Sequence, residues 1–406
     1  MEIERSSLDE QEISQELEVS FPVQLLRHRP DVLAAEYGLV NAFELTNVAR
    51  SQFYPSVLTA TREVSDALYS FEAAEESIDD YSDFVDFPAK SPYIWVLNPK
   101  KTMIKGTHSA VEDPRNQTIK IFVNGELLPR SEAKISVYDS GYLVGDGVWE
   151  ALRLHHGTLA FLDQHLDRLW QAARAISMTL PFSRQELVDN IRKTLDANEM
   201  QDGVHVRVMV TRGIKKTPSQ DPRLTISGPN VVIIAEHKQA SEENKEQGIT
   251  LFTSTVRRGS PDYLDPRLNC HSKLHEVQAL VQAIEAGADE AMMLDIHGFV
   301  ATCNATNFFM VKGGAVWTST GQYCMNGITR GNVIRLCEQH SIPCYQKNFS
   351  LYDVYGADEA FVTGSFGGLT PVTKVDGKTI GERKYGALTR RLSTLYQKLI
   401  DEEVNR

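Results

Sequence analysis

The sequence predicts an α/β protein of two domains behind an N-terminal helical extension. Three observations support this. Residues 1–116 carry one strong helical pattern and then an acidic stretch. From Thr118 the texture becomes strand–turn–strand with an intervening helix, and from about residue 247 strands and helices alternate to the end. The implied divisions are an extension at 1–116, a small α/β domain at 117–240 and a large α/β domain at 247–396. A chain of 406 residues has room for that arrangement.

Taken in order, the first helix is expected after Pro30-Asp31. Apolar residues at 32, 35, 39, 42, 45 and 48 keep one face until "FYPS" ends it. Between Glu63 and Asp86 there are nine carboxylates and no Lys or Arg, the composition of a solvated stretch. "IKIFVNGELLP" reads as a hairpin turning at Asn124-Gly125, and "WEALRLHHGTLAF" repeats the pattern. "LDQHLDRLWQAARAISM" follows as a helix with Leu162, Leu166, Leu169, Ala172 and Ile176 on one stripe. "VHVRVMVTRG" and "NVVIIAEH" are further strands. A helix after Lys273 is expected to turn Leu274, Val277, Leu280, Val281 and Ile284 inward, and another is expected to begin near Arg330 to Asn332.

Composition narrows the function classes. Hydrophobic residues make up 42% and charged residues 24%, the balance of a soluble globular chain. No run of 18 apolar residues suggests a membrane span, and the acidic N-terminus lacks the apolar core of a secretory signal. A net charge of -12 argues against nucleic acid or an anionic membrane as partner. The five cysteines match no zinc spacing, so no metal site is expected and a reducing cytoplasm is the implied setting.

The most informative local signal is "MNGITRGNVIRLCEQHSIP". Gly327-Ile328-Thr329 would present free backbone N–H groups and a hydroxyl at the positive end of a helix, which suits a phosphate. "FVTGSFGGLTPVT" supplies a second small-residue turn, with Ser365 able to hydrogen-bond the same anion. Arg168, within the helix of the middle section, can add a charge-assisted fork.

With these pieces in hand the chain resembles a known family. "VNGELLPRSEAKISVYDSGYLVGDGVWEALRLHHG", "FLDQHLDRL", "AGADEAMMLD", "NATNFFMV", "NGITRGNVI" and "ADEAFVTGSFGGLTPV" occur in the order and spacing of class IV aminotransferases. These are the fold-type IV pyridoxal phosphate enzymes, which include branched-chain and D-amino acid aminotransferases and aminodeoxychorismate lyase. The likeness spans about residues 118–396. It implies pyridoxal 5′-phosphate as cofactor, an amino acid and a 2-oxo acid as substrates, and a homodimer. Arg168 matches the family arginine that binds the cofactor phosphate, Ile328 and Thr329 match the backbone and hydroxyl donors of the cup, and Ser365 matches its second hydroxyl. Trp149 takes a place often held by a tyrosine of the substrate pocket, and Asn307 follows the strand under the pyridine ring. A shorter segment, 21–61, is similar to a signature of outer-membrane efflux channel proteins, and is read as part of the extension rather than as evidence for transport.

Two positions depart from the family pattern. Its Schiff-base lysine stands eighteen residues before the glycine of "AGADEA", and counting back from Gly287 lands on Asn269. A carboxamide can neither form an imine nor act as the base for a proton shift. Its ring-nitrogen glutamate falls at Thr302, whose neutral hydroxyl does not hold a pyridine nitrogen protonated as a carboxylate does. Lys273 lies one helical turn, about 5.4 Å of rise, beyond Asn269, and is the displaced candidate for the missing lysine. The expected function is therefore a class IV aminotransferase for a small, branched-chain or D-amino acid. The alternatives are a cofactor-binding member without transaminase activity, or an enzyme of the aminodeoxychorismate lyase type.

Overall fold

A computed structural model describes residues 106–107, 112–240, 242–382 and 385–405, all within the unit Leu97–Arg406. The expected helix after Pro30, the acidic run 63–86 and the segment 21–61 lie outside the described residues. The elements in chain order begin with β1 (Lys120–Val123), β2 (Glu126–Pro129), α1 (Ser140–Val144), β3 (Gly147–His155) and β4 (Thr158–Leu159). Then come α2 (Leu162–Ala175), α3 (Arg184–Asp196), β5 (Val204–Thr211), β6 (Asn230–His237), α4 (Glu242–Gln247) and β7 (Ile249–Thr253). They continue with α5 (Leu274–Glu285), β8 (Glu290–Leu294), β9 (Val300–Cys303), β10 (Asn307–Lys312), β11 (Ala315–Thr318) and α6 (Ile328–Gln339). The chain closes with β12 (Cys344–Gln346), α7 (Leu351–Tyr355), β13 (Glu359–Gly364), β14 (Gly368–Val375), β15 (Lys378–Thr379) and α8 (Ala387–Val404).

The first six strands form one antiparallel sheet in the order β2-β1-β6-β5-β3-β4. Its first hairpin turns at Asn124 and Gly125 with φ of 50° and 104°, the left-handed pair a two-residue turn needs to follow the strand twist. The alternation of β3 and β5 sorts side chains to two faces. Val148, Leu152, Leu154, Val204, Val206 and Val208 go to the core beneath α2 and α3. Trp149, Ala151, His205 and Arg207 go to the opposite face, where they line a cavity.

The remaining strands form a nine-stranded mixed sheet in the order β12-β11-β10-β13-β14-β7-β8-β9, with β15 beside β14. Helix α6 packs with α8 over β13 through Val333, Leu336, Phe361, Leu392 and Leu399. Helix α5 lies against β8 and β7. Here the structure corrects the sequence expectation: Leu274, Val277, Val281 and Ile284 are 70%, 53%, 44% and 46% exposed, while Ala279 and Ala283 are fully buried with Ala291 and Met293 of β8. A helix seated that close to a sheet presents its small residues to the strands, and the larger apolar side chains are turned out. Helix α6 likewise begins at Ile328, two residues before its expected start, because Gly327 serves as its N-cap.

The packing of α5 sets a test. Ala283→Leu should overfill the contact with β8 and lower the unfolding free energy by about 1–3 kcal/mol. Leu274→Gln, on the exposed face, should change it by no more than about 0.5 kcal/mol. Urea unfolding of both variants checks this, and the opposite ranking would restore the face expected from the sequence.

Candidate active site

The cavity holds about 310 Å³ and is walled by both sheets and by the starts of α5 and α6. Its closure depends on the segment 269–271, which joins β3 by an isolated antiparallel bridge between Val148 and Cys270. Trp149 N donates to Asn269 O at 3.0 Å, and His271 N donates to Gly147 O at 3.0 Å. Two side chains reinforce it: Asn269 Nδ2 donates to Trp149 O at 2.7 Å, and Trp149 Nε1 donates to Cys270 O at 3.0 Å. Asn269 is thereby held rigidly at the cavity wall and is 1% exposed. Its Oδ1 has no hydrogen-bond partner among the described residues.

At one end of the cavity, α6 starts without a side-chain cap, so its first N–H groups have no intrahelical or capping acceptor. Gly327 is required there, since a Cβ at that position would come within 2.3 Å of Asn307 Oδ1. Arg168 Nη1 donates to Asn326 O at 3.3 Å, which brings the guanidinium to the same helix start. Thr329 Oγ1 lies 3.1 Å from Tyr396 Oη of α8, and burial pushes the pKa of that phenol up to about 12. Ser365, in the turn after β13, lines the same cavity. Arg168, Ile328, Thr329, Ser365, Asn307, Thr302, Trp149, Asn269 and Lys273 thus border one space.

Arg168 is itself oriented by a buried carboxylate that sequence reasoning missed. Its Nε and Nη2 donate to the two oxygens of Glu150 at 2.6 and 2.8 Å, and His165 Nδ1 meets Glu150 Oε2 at 2.7 Å. Burial pushes the Glu150 pKa up, but the Arg168 charge and the hydrogen bonds of Arg168 and His165 outweigh it and hold it at about 2. Burial lowers the His165 pKa. One N–H on each terminal nitrogen of Arg168 is left for an anion.

At the reacting end, Thr302 Oγ1 donates to Thr306 O at 2.8 Å, and Thr306 Oγ1 donates to the buried Glu290 at 2.9 Å. Lys273 caps α5 and its Nζ pairs with Glu276 Oε1 at 3.4 Å, with the side chain 28% exposed. Arg258, 4% exposed, donates to the same Glu276 oxygen at 2.7 Å. Burial raises the Glu276 pKa, but His275, Lys273 and Arg258 together hold it at about 2. Arg207 stacks over the Trp149 ring at 4.2 Å, and burial lowers its pKa. It was also missed from the sequence, although the alternation His205–Arg207 against Val204, Val206 and Val208 places it on the cavity face. Among the described residues no group of three or more His, Cys, Asp or Glu is placed to hold a metal ion.

The residues fit a pyridoxal-type phosphate at one end only. The uncapped helix start, the residual Arg168 donors and Ser365 suit a phosphate monoester. Elsewhere on the wall Asn269 offers a carboxamide, and Lys273 is engaged with Glu276.

The Glu150 cluster sets a second test. A folded-state value of about 2 lies below the unfolded value of about 4.3. Its contribution is therefore complete above the unfolded value and is lost as pH falls through the folded one. Glu150→Gln should cost roughly 3 kcal/mol at pH 7, and the gap to the parent should narrow steadily between about pH 4.5 and pH 2. Denaturant unfolding across that range checks the assignment, and a pH-independent gap would contradict it.

Comparison with known proteins follows the same lines. The family model described as "Amino-transferase class IV" matches residues 147–375. "Branched-chain-amino-acid aminotransferase-like protein 2" of Arabidopsis thaliana is 40% identical over 288 residues, covering 71% of this chain and 51% of its own length. The chain thus spans about half the length of that relative. A branched-chain-amino-acid aminotransferase of Pseudomonas aeruginosa is 35% identical over 289 residues, covering 69% of this chain and 92% of the relative. A D-alanine aminotransferase of Bacillus licheniformis is 32% identical over 286 residues, covering 70% and 98%. Among solved structures, a branched-chain amino acid aminotransferase of Escherichia coli superposes with a TM-score of 0.65 at 25% identity, covering 70% of this chain and 96% of that one. The family model covers more than half of the chain, and relatives at 30% identity or more are matched over most of their length, so the chain belongs to the class IV aminotransferase family.

Proposed function

We propose that this chain is a pyridoxal 5′-phosphate-dependent aminotransferase that moves an amino group between a small amino acid, branched-chain or D-, and a 2-oxo acid. The observation that carries the reading is the uncapped start of α6, reached by Arg168, opening on the same cavity that Lys273 and Arg207 line. The domain divisions at 117–240 and 247–396, the cytoplasm as location and a homodimer as the working unit belong to the same proposal. The five cysteines are all unpaired, in keeping with a reducing compartment.

The residues divide the work as follows. The N–H groups of Ile328 and Thr329, with Arg168 and Ser365, hold the phosphate. When bound, the cofactor supplies the electron sink through which the amino group passes. Arg207, stacked on Trp149 at the cavity wall, can fork onto the carboxylate of an amino acid or 2-oxo acid. Val277, Leu280 and Met325 give the cavity apolar lining that suits a branched side chain. Lys273 Nζ carries the proton, with Glu276 fixing its position at 3.4 Å. A second reading, cofactor binding without transamination, is favoured by Asn269 at the family lysine position; the aminodeoxychorismate lyase type remains the third.

Removing Arg168 separates binding from chemistry. Arg168→Ala loses a charged hydrogen-bond partner and should weaken cofactor phosphate binding at least about tenfold, measured by calorimetry. Lys273→Ala should abolish amino transfer from leucine and from D-alanine while leaving cofactor affinity within about threefold. Full transfer by Lys273→Ala would remove that lysine from the mechanism. Tight binding with no transfer by the parent would establish the second reading.

A further inference from the structure

Thr107 stands within the stretch that the sequence assigns to the extension 1–116, before residue 147 where the family match begins. In the structure it is 6% exposed and bonded to Glu290 at the start of β8, 183 residues further along the chain. Thr107 N donates to Glu290 Oε1 at 2.8 Å, and Thr107 Oγ1 donates to the same oxygen. The short strap Gly106-Thr107 is packed closely on both sides. A Cβ on Gly106 would come within 3.3 Å of Asp289 O. One on Gly367, in the turn that carries Ser365, would come within 3.4 Å of Thr107 O.

Glu290 is 2% exposed, and a carboxylate so buried needs donors on both oxygens. Thr107 serves Oε1 twice, and Thr306 Oγ1 serves Oε2 at 2.9 Å. Thr306 belongs to the turn between β9 and β10, and the whole of 302–307 lines the cavity. Its carbonyl accepts from Thr302 Oγ1 at 2.8 Å and from Cys303 N at 2.9 Å, which closes the turn. Asn307, the next residue, carries the constraint onward. Its Nδ2 donates to Met325 O at 2.9 Å, just before the Gly327 N-cap of α6. Its Oδ1 fills the space that a Cβ at Gly327 would need. A run of buried contacts thus leads from Thr107 through Glu290, Thr306 and Asn307 to the start of α6.

We propose that Thr107 is a positioning residue for this cavity: by holding Glu290 it sets the turn 302–307 and, through Asn307, the helix start that receives a phosphate. The strap is then part of the binding unit, although it precedes the family match. The physical reason is the carboxylate. Without the Thr107 hydroxyl, Oε1 keeps one donor, and Glu290 with the Thr306 hydroxyl it orients can take more than one arrangement. The loop before α6 loses its fixed register with them. A site spread over several arrangements binds more weakly, because only one of them receives the ligand. The inference rests on the phosphate-binding reading proposed above and adds the residue that keeps that site in shape.

Calorimetric titration of the full chain with pyridoxal 5′-phosphate and with inorganic phosphate, alongside urea unfolding of each variant, tests it. Thr107→Val removes the hydroxyl and keeps the backbone N–H, and should weaken both ligands about three- to thirtyfold. Thr107→Ser, which retains the hydroxyl, should bind both within about twofold of the parent. Thr306→Val takes the donor from the other oxygen and should give a loss of similar size. Combined with Thr107→Val, it should cost less than the two losses added as free energies, because both act through Glu290. If Thr107→Val does not fold, Thr107→Cys, a weaker donor of similar size, carries the same comparison with Thr107→Ser. A lower urea midpoint with parental affinity for both ligands would overturn the inference, since a merely structural threonine acts on folding and leaves binding by the folded chain unchanged. Fully additive losses at 107 and 306 would overturn it too. In either case the phosphate reading stands. A parent that binds neither ligand would overturn that reading and the inference together.

Discussion

Everything at this site depends on the short bridge between β3 and residues 269–271. Two backbone hydrogen bonds, one from Trp149 N and one from His271 N, join an edge of the first sheet to the lead-in of α5. The Asn269 carboxamide and the Trp149 indole each add a further bond to the opposite backbone. Because these contacts span about 120 residues of sequence, their formation costs chain entropy that local propensity cannot offset. The apolar cores of the two sheets supply the stabilisation. Once formed, the bridge determines which side chains share the cavity: Trp149 and Arg207 from one sheet, Asn269 and Lys273 from the approach to α5.

The electrostatics are organised around two buried carboxylates rather than around free cations. Glu150 accepts from Arg168 through both of its oxygens, and Glu276 accepts from Arg258 and pairs with Lys273. A lone guanidinium in a half-buried wall would be costly and mobile. Tied to a carboxylate, Arg168 keeps a defined direction and still has donors for a phosphate. The same arrangement at Glu276 positions Lys273 but occupies it. One wall of the cavity therefore carries a guanidinium with unused donors, and the other holds its own charges in place.

The bridge also fixes what stands at position 269. Arg168 is held by Glu150, one residue along β3 from the Trp149 that pairs with Asn269, so the strand ties the two together. An asparagine at 269 keeps the backbone bridge to Trp149 and adds its own amide N–H to it, where a lysine ammonium would reach into the cavity. The carboxamide reinforces the bridge through Nδ2, while its Oδ1 has no partner among the described residues.

The sequence by itself determined the α/β class, the hairpin at Asn124-Gly125, the strands β3, β5 and β6, and the helix α6 that follows Gly327. These are set by short-range patterning: period-2 alternation, left-handed turn residues, and a glycine before a helix. Only the tertiary structure decided the direction of α5, where close seating on β8 favours Ala279 and Ala283 over the larger apolar residues that a helical stripe suggests. The pairing of Glu150 with Arg168, of Lys273 with Glu276, and the placing of Arg207 over Trp149 were likewise decided there. Each is settled by how the sheets and helices pack around it, because packing decides which of many charged residues meet, and no local pattern encodes that.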